Sequence, residues 1–90
     1  MPALSVTCLC AEWCDTCREY RTAFYGLAER FPEAQFNWLD IEYDAEEVGD
    51  VDVENFPTLR IERGGEVLFH GVLQPRAEHL AQLLERLVSR

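Results

Sequence analysis

The chain has 90 residues, of which 48% are apolar and 11% aromatic, which is enough hydrophobic surface for one folded domain over residues 1–90. Its net charge is −9, from seventeen acidic residues against eight arginines and no lysine, and this argues against binding to nucleic acid. Residues 1–8 lack the features of a signal peptide and no apolar run reaches the ~18 residues of a membrane span, so we expect a cytoplasmic protein without membrane contact.

The first part of the chain predicts a strand, a helix and a second strand. Residues 4–10 alternate with apolar side chains on both faces, which is typical of a central strand. From residue 15 to residue 31 the apolar side chains recur every three or four positions, which predicts an amphipathic helix that Pro32 ends. A second strand is predicted over residues 35–41.

An acidic connection follows. Between Asp40 and Glu54 the sequence has eight carboxylates and no cation, and we expect a loop there with one short helix near residues 44–49. The run from Asp40 to Asp44 is similar to a calcium-binding loop, but Ala45 stands where such a loop needs glycine. We therefore interpret the segment as a solvated face that repels acidic partners and favours basic ones.

The last part predicts a hairpin and a helix. Strands over residues 58–63 and 66–70 flank Gly64-Gly65, which supplies the positive φ angles of a tight turn. A helix is predicted from Pro75 to Ser89, where leucines form one apolar stripe. The order strand–helix–strand, then hairpin–helix, predicts an α/β sandwich with a mixed four-stranded sheet and two main helices.

The four cysteines indicate a chemical site. They are Cys8, Cys10, Cys14 and Cys17, all within ten positions, whereas stabilising disulfides would be spread to close long loops. Cys14 and Cys17 lie between a strand end and a helix start, at a spacing that brings two sulfurs within bonding reach. The helix start favours the thiolate form of Cys14, the expected nucleophile, while Cys17 is expected to be buried, protonated and suited to resolving a mixed disulfide.

The chain resembles the thioredoxin family. Ala11-Glu12-Trp13-Cys14, followed three residues later by Cys17, is similar to the family's active-site segment, and Phe56-Pro57-Thr58 is similar to its cis-proline element. Residues 39–42, the Gly64-Gly65 turn, Gly71 and the leucine-rich last helix follow in the family's order at about its spacings. The resemblance covers nearly the whole chain and implies a thioredoxin-like sandwich.

The resemblance also implies a function and its residues. It implies a thiol–disulfide oxidoreductase that acts on protein or small disulfides, takes electrons from a dithiol or glutathione, and needs no bound cofactor and no metal. Cys14 would attack the substrate disulfide, and Cys17 would resolve the mixed disulfide that forms. Pro57 would face the two sulfurs in a cis peptide. The implied substrate-binding residues are Trp13, Phe56, Pro57 and Thr58.

Three features depart from the family pattern. Asp15-Thr16 replaces the usual Gly-Pro between the cysteines, and a carboxylate beside Cys14 opposes its thiolate. The family's buried acid aligns with Cys8 and its partner lysine with Trp38, so the usual proton acceptor for Cys17 is missing. The family's first strand and first helix have no counterpart, so we expect a thinly covered sheet face that meets a partner or a second copy in a homodimer.

Two alternatives remain open at this stage. Cys8 and Cys10 share a face of the first strand, and they are either core residues or an auxiliary redox pair, although same-face positions lie ~6.5–7 Å apart along a strand. The protein could instead be a non-catalytic module that holds a partner in its thioredoxin-like groove, or a metal-binding protein in which all four thiols ligate zinc or an iron–sulfur cluster.

Overall fold

The computed structural model describes residues 4–11, 14–49, 57–72 and 76–88, and these residues form four strands and three helices. In chain order they are β1 (Leu4–Cys10), α1 (Asp15–Arg30), β2 (Ala34–Asp40), α2 (Ala45–Val48), β3 (Thr58–Arg63), β4 (Glu66–Val72) and α3 (Ala77–Val88). The predicted order of elements is confirmed, and the bounds of β1 and β3 agree with the prediction. None of the helices in these ranges is long and apolar enough to cross a membrane.

The predicted end of the second strand, Ile41, is wrong by one residue. β2 ends at Asp40 because the carboxylate of Asp40 accepts the backbone N–H groups of Glu42 and Tyr43, at 2.8 and 3.0 Å, and so turns the chain. The carboxylate of Asp44 in turn accepts the N–H of Asp40 at 2.8 Å. Carboxylates of the acidic segment thus hold a tight turn at the end of β2.

The last strand is longer than predicted, and the last helix begins later. β4 continues past His70 to Val72, which pairs with Thr58 at the start of β3. In the described residues α3 runs over Ala77–Val88, and the predicted ends of this helix, Pro75 and Ser89, lie outside them. Gly64 and Gly65 have φ angles of 57° and 88°, as the predicted hairpin turn requires.

The sheet has the strand order β2-β1-β3-β4, with β1 at its centre. β1 is parallel to β2, because α1 carries the chain back between them, whereas β3 is antiparallel to both β1 and β4. The predicted mixed four-stranded sheet is therefore confirmed. This topology brings the C-terminal end of β1 and the N-terminal end of β3 to the same edge of the sheet.

Helices α1 and α3 cover one face of the sheet and form the hydrophobic core with it. Phe24 of α1 is fully buried, with its ring centroid 5.2 Å from that of Phe36 and 5.6 Å from that of Trp38. The buried side chains of this cluster are Leu4, Val6, Cys8, Cys10, Cys17, Tyr20, Phe24, Leu27, Phe31, Leu59, Ile61, Leu80, Ala81, Leu84 and Leu87. The helical periodicities of the sequence identified the faces that contact the sheet.

The opposite face of the sheet is polar toward the N-terminal end of β1. The Asn37 side-chain amide donates to Ser5 Oγ at 3.1 Å and to Thr7 Oγ1 at 3.5 Å, and Arg60 pairs with Glu62 at 3.2 Å. The first group links β1 with β2, and the Arg60–Glu62 pair lies within β3. This polar part of the face can meet water, and the expected homodimer stays a prediction.

Candidate active site

Cys14 occupies the N-cap of α1, the position that the sequence predicted for the attacking sulfur. Its backbone is extended, with φ −88° and ψ 111°, its N–H donates to Ala11 O at 3.0 Å, and its own carbonyl accepts the N–H of Arg18 at 3.1 Å. The side chain is partly exposed. Its sulfur is thus open to a substrate next to the free N–H groups of the first helical turn, which favour negative charge.

Cys17 lies one turn further along α1 and is only 1% exposed. Burial raises the pKa of its thiol well above the ordinary value of 9.0, and hydrogen bonds with Cys10 and Cys14 act in the same direction. A backbone hydrogen bond from Ala11 opposes this shift. Cys14 is thus accessible and Cys17 is buried, and the direction of the Cys17 pKa shift favours its protonated form.

Asp15 affects Cys14 less than its place in the sequence suggests. Its side chain is 90% exposed, and a carboxylate oxygen lies 3.5 Å from the guanidinium of Arg18. Solvent and the Arg18 charge therefore both weaken the field that Asp15 exerts on the neighbouring sulfur.

Cys8 and Cys10 are closer together than strand geometry predicts. They are 0% and 1% exposed, and their Sγ atoms lie 3.2 Å apart, because the two side chains converge beneath α1. The hydrogen bond with Cys8, together with burial, raises the pKa of the Cys10 thiol far above its ordinary value. Cys8 pairs in register with Trp38, so the two positions that align with the family's acid and lysine are neighbours.

The four thiols are all free, and each sulfur contacts the next in a row, which we call the sulfur chain. Cys8 contacts Cys10, Cys10 hydrogen bonds with Cys17, and Cys17 hydrogen bonds with Cys14. This order differs from the arrangement around one centre that a tetrahedral metal site needs. Within the described ranges, no group of three or more His, Cys, Asp or Glu side chains is placed to hold a metal ion.

An open pocket of about 260 Å³ lies between β2 and Cys17. Its lining consists of Ala11, Cys17, Arg18, Arg21, Trp38, Asp40, Tyr43 and Asp44. The guanidinium of Arg21 lies 5.7 Å from the centre of the Trp38 ring, so α1 supplies a cation where the aligned family lysine is absent. Water can therefore reach the otherwise buried surroundings of Cys17.

The sequence patterns did not identify Arg21, which lines the pocket beside Cys17, or Tyr20, which is buried outside that pocket on the same helix. Both follow Cys17 on α1, at the i+3 and i+4 positions of the same helix, and that spacing was the signal that could have found them. Tyr20 lies on the apolar face that the periodicity of residues 15–31 predicted, and it is buried, at 2% exposure. Its hydroxyl, however, has no hydrogen-bond partner in the described part of the chain.

The proline element lies at the same sheet edge as the cysteines. Thr58 pairs with Leu9 of β1, so the next position of the register brings Pro57 toward Cys10. Pro57 and Thr58 are both buried. Trp13 and Phe56 lie outside the described residues, and the predicted cis geometry before Pro57 stays a prediction.

Comparison with known proteins decides the family. The family model for thioredoxin matches residues 3–86, almost the whole chain. This chain belongs to the thioredoxin family. The resemblance seen in the sequence is thereby confirmed, and thiol–disulfide exchange is the general chemistry of the family. None of the curated proteins matches the sequence.

Solved structures of thioredoxins share the fold. The thioredoxin of Trypanosoma brucei brucei is 29% identical, with a TM-score of 0.84 over 97% of this chain and 76% of its own. Thioredoxin O2 of Arabidopsis thaliana is 26% identical, with a TM-score of 0.75 over 94% of this chain and 75% of its own. The oxidised thioredoxin of Plasmodium falciparum is 20% identical, with a TM-score of 0.80 over 94% of this chain and 81% of its own, and it supports the fold alone.

Proposed function

We propose that this protein is a thiol–disulfide oxidoreductase in which Cys14 attacks and Cys17 resolves. The Cys14 thiolate attacks one sulfur of a substrate disulfide, and the other substrate sulfur leaves as a thiolate and takes up a proton. Cys17 then attacks Cys14 Sγ and releases the second substrate thiol, which leaves a Cys14–Cys17 disulfide. Another dithiol or glutathione reduces this disulfide and restores the site, and no bound cofactor takes part.

The observation that carries this proposal is the unequal environment of two sulfurs one helical turn apart. Cys14 is partly exposed at the N-terminus of α1, and Cys17 is buried and keeps its proton. A disulfide exchange enzyme needs these two environments, because an exposed thiolate begins the reaction while a protected thiol waits for the mixed disulfide.

The pocket beside Cys17 supports a route for its proton. Cys17 can attack only after its proton has left, and the strand positions that align with the family's acid and lysine hold Cys8 and Trp38. The pocket of about 260 Å³ is lined by both Cys17 and Arg21, so it brings solvent close to the buried thiol. We propose that water in this pocket takes the proton, while the Arg21 charge favours the thiolate that remains.

The proline element and the acidic surface support a protein substrate. In the proposal, an extended substrate chain lies beside Pro57 and Thr58, with Trp13 and Phe56 completing the groove. The net charge of −9 favours basic segments around the substrate disulfide. We further propose that residues 1–90 act as one domain in the cytoplasm, and that Val67 and Val72, both exposed, are contacts of a homodimer on the thinly covered face.

Reduction of insulin disulfides tests the proposal. With dithiothreitol as electron donor, the wild-type protein should accelerate the reduction, and Cys14→Ser should lower the rate to that of dithiothreitol alone. Thr16→Ser, at an exposed position between the two cysteines, is the matched control and should keep the wild-type rate. Equal rates for wild type and Cys14→Ser would reject the enzyme.

A further inference from the structure

The sulfur chain continues inward from the proposed active site. Cys10 hydrogen bonds with Cys17, and Cys8 Sγ lies 3.2 Å from Cys10 Sγ. A disulfide bond measures ~2.05 Å, so a small side-chain rotation would bring the Cys8 and Cys10 sulfurs into bonding distance. Cys8 and Cys10 are 0% and 1% exposed, and therefore a substrate disulfide outside the protein cannot reach them directly.

Tyr20 provides a second, independent observation at the same place. Its hydroxyl is buried and unpartnered among the described residues, although a buried donor without an acceptor is energetically unfavourable. Burial raises the pKa of Tyr20, and the charges of Cys8 and Cys10 raise it further, so the hydroxyl keeps its proton. Tyr20 belongs to the same buried cluster as Cys8 and Cys10. An acceptor for this O–H appears when one of those sulfurs becomes a thiolate.

We propose that Cys8 and Cys10 form a second, buried dithiol that reduces the Cys14–Cys17 disulfide from inside the protein, with the Tyr20 hydroxyl donating to the buried thiolate. The inference rests on the proposed exchange reaction at Cys14 and Cys17. It gives one chain the capacity to reduce two substrate disulfides before it needs an outside electron donor.

The transfer takes two exchange steps. Cys10 gives its proton to water and attacks Cys17 Sγ; the Cys10–Cys17 bond forms, the Cys14–Cys17 bond breaks, and Cys14 leaves as a thiolate that takes up a proton from water. Cys8 then attacks Cys10 Sγ, so that the Cys8–Cys10 bond forms and Cys17 leaves and takes up the proton that Cys8 gave up. Cys8 and Cys10 are oxidised by one electron pair, Cys14 and Cys17 are reduced by the same pair, and no other reactant is consumed.

Thiol counting on the wild-type protein tests the proposal. The reduced protein, freed of reductant under anaerobic conditions, is mixed with increasing amounts of oxidised glutathione and quenched with acid. Free thiols are alkylated with one reagent, and disulfide sulfurs are then reduced and alkylated with a second. Arg18 is the first arginine in the chain, so one tryptic peptide carries all four cysteines and its fragment masses locate each label.

The expected result is that the wild type consumes two equivalents of oxidised glutathione and oxidises all four cysteines. The Cys8→Ala/Cys10→Ala variant should consume one equivalent, and Cys14→Ser should leave Cys8 and Cys10 reduced, because the surface sulfur is their only route. Oxidation confined to Cys14 and Cys17 in the wild type would overturn this inference alone. Failure of Cys14 and Cys17 to oxidise would overturn the proposed function as well.

Tyrosine variants test the role assigned to Tyr20. Stopped-flow mixing with excess oxidised glutathione should show a fast phase for the surface pair and a slower phase for the buried pair. Tyr20→Phe should slow the second phase about tenfold, since a hydrogen bond to a charged group is lost, and should leave the first phase unchanged. Tyr25→Phe, a half-exposed tyrosine on the same helix, is the control. Equal rates of the second phase in the wild type, Tyr20→Phe and Tyr25→Phe would show that Tyr20 has no part in the transfer.

Discussion

Individual buried thiols determine how the reduced protein responds to alkaline pH. Burial raises the folded-state pKa of Cys17 above its ordinary 9.0, and contact with Cys8 and burial do the same for Cys10. Above pH 9 the unfolded chain loses these protons while the folded chain keeps them. Stability from these two groups is therefore complete below about pH 9 and is lost as the pH rises further.

The unfolding free energy of the reduced protein should fall between pH 9 and pH 11. Each of the two thiols contributes a slope of up to about 1.4 kcal/mol per pH unit. The chain contains no lysine, and arginine stays charged in this range, so cysteine and tyrosine dominate the titration. Urea unfolding at several pH values, with a phosphine reductant present, measures the effect.

The double variant Cys10→Ala/Cys17→Ala is the control for this measurement. It removes both shifted thiols and should show a distinctly flatter dependence on pH, although Tyr20 keeps part of the slope. If the wild type and the double variant lose stability with the same slope, the buried thiols do not hold their protons as described.

At the scale of single elements, glycine has a different role in helix α1 from its role in the turn between β3 and β4. Gly26 lies in the middle of α1, and a Cβ added there meets no atom within 4 Å. Gly65 lies in the turn between β3 and β4 with φ +88°, a conformation that other residues adopt only with strain. The same substitution should therefore have opposite effects at the two positions.

Gly26→Ala should stabilise the protein by about 1 kcal/mol, because alanine restricts the unfolded chain and favours the helix. Gly65→Ala should destabilise it by about 1–2 kcal/mol, the cost of a left-handed conformation for a residue with a Cβ. Neither residue lines the pocket or contacts the cysteines, so insulin reduction should be unchanged. Urea unfolding of both variants measures the change in unfolding free energy. Changes of the same sign would contradict the description of these two elements.

Local signals in the sequence predicted most elements, and the misses have physical causes. The paired glycines located the hairpin, and the spacing of Cys17, Tyr20 and Phe24 located the buried face of α1. The end of β2 could not be predicted, because it depends on the side chain of Asp40 as a hydrogen-bond acceptor for the following turn.

Parts of the candidate site depended on information that periodicity does not carry. The pattern of β1 placed Cys8 and Cys10 on one face, but the rotamers that bring their sulfurs to 3.2 Å are set by packing against α1. Helical spacing likewise marked Tyr20 as buried without showing that its hydroxyl lacks a hydrogen-bond partner in the described part of the chain. The placement of Cys14 and Cys17 was predictable, because a strand end followed by a helix start fixes it.

For the whole molecule, the fold brings three separate segments of chain to one edge of the sheet. β1 delivers the buried pair, α1 delivers Cys14 and Cys17, and the start of β3 delivers Pro57. The helices bury one face around these sulfurs, while the polar network on the other face tolerates water. This arrangement leaves Cys14 as the exposed end of a sulfur chain that otherwise lies inside the protein.

Trapping of the mixed disulfide is the most direct test of Cys14 as the attacking sulfur and Cys17 as the resolving one. Cys17→Ser, incubated with an oxidised protein substrate, should accumulate a covalent complex whose link to Cys14 is located by mass spectrometry and which dithiothreitol releases. Wild type should show this complex only transiently, and Cys14→Ser should show none. A complex that forms equally with Cys14→Ser, or a link located at Cys17, would contradict the assignment.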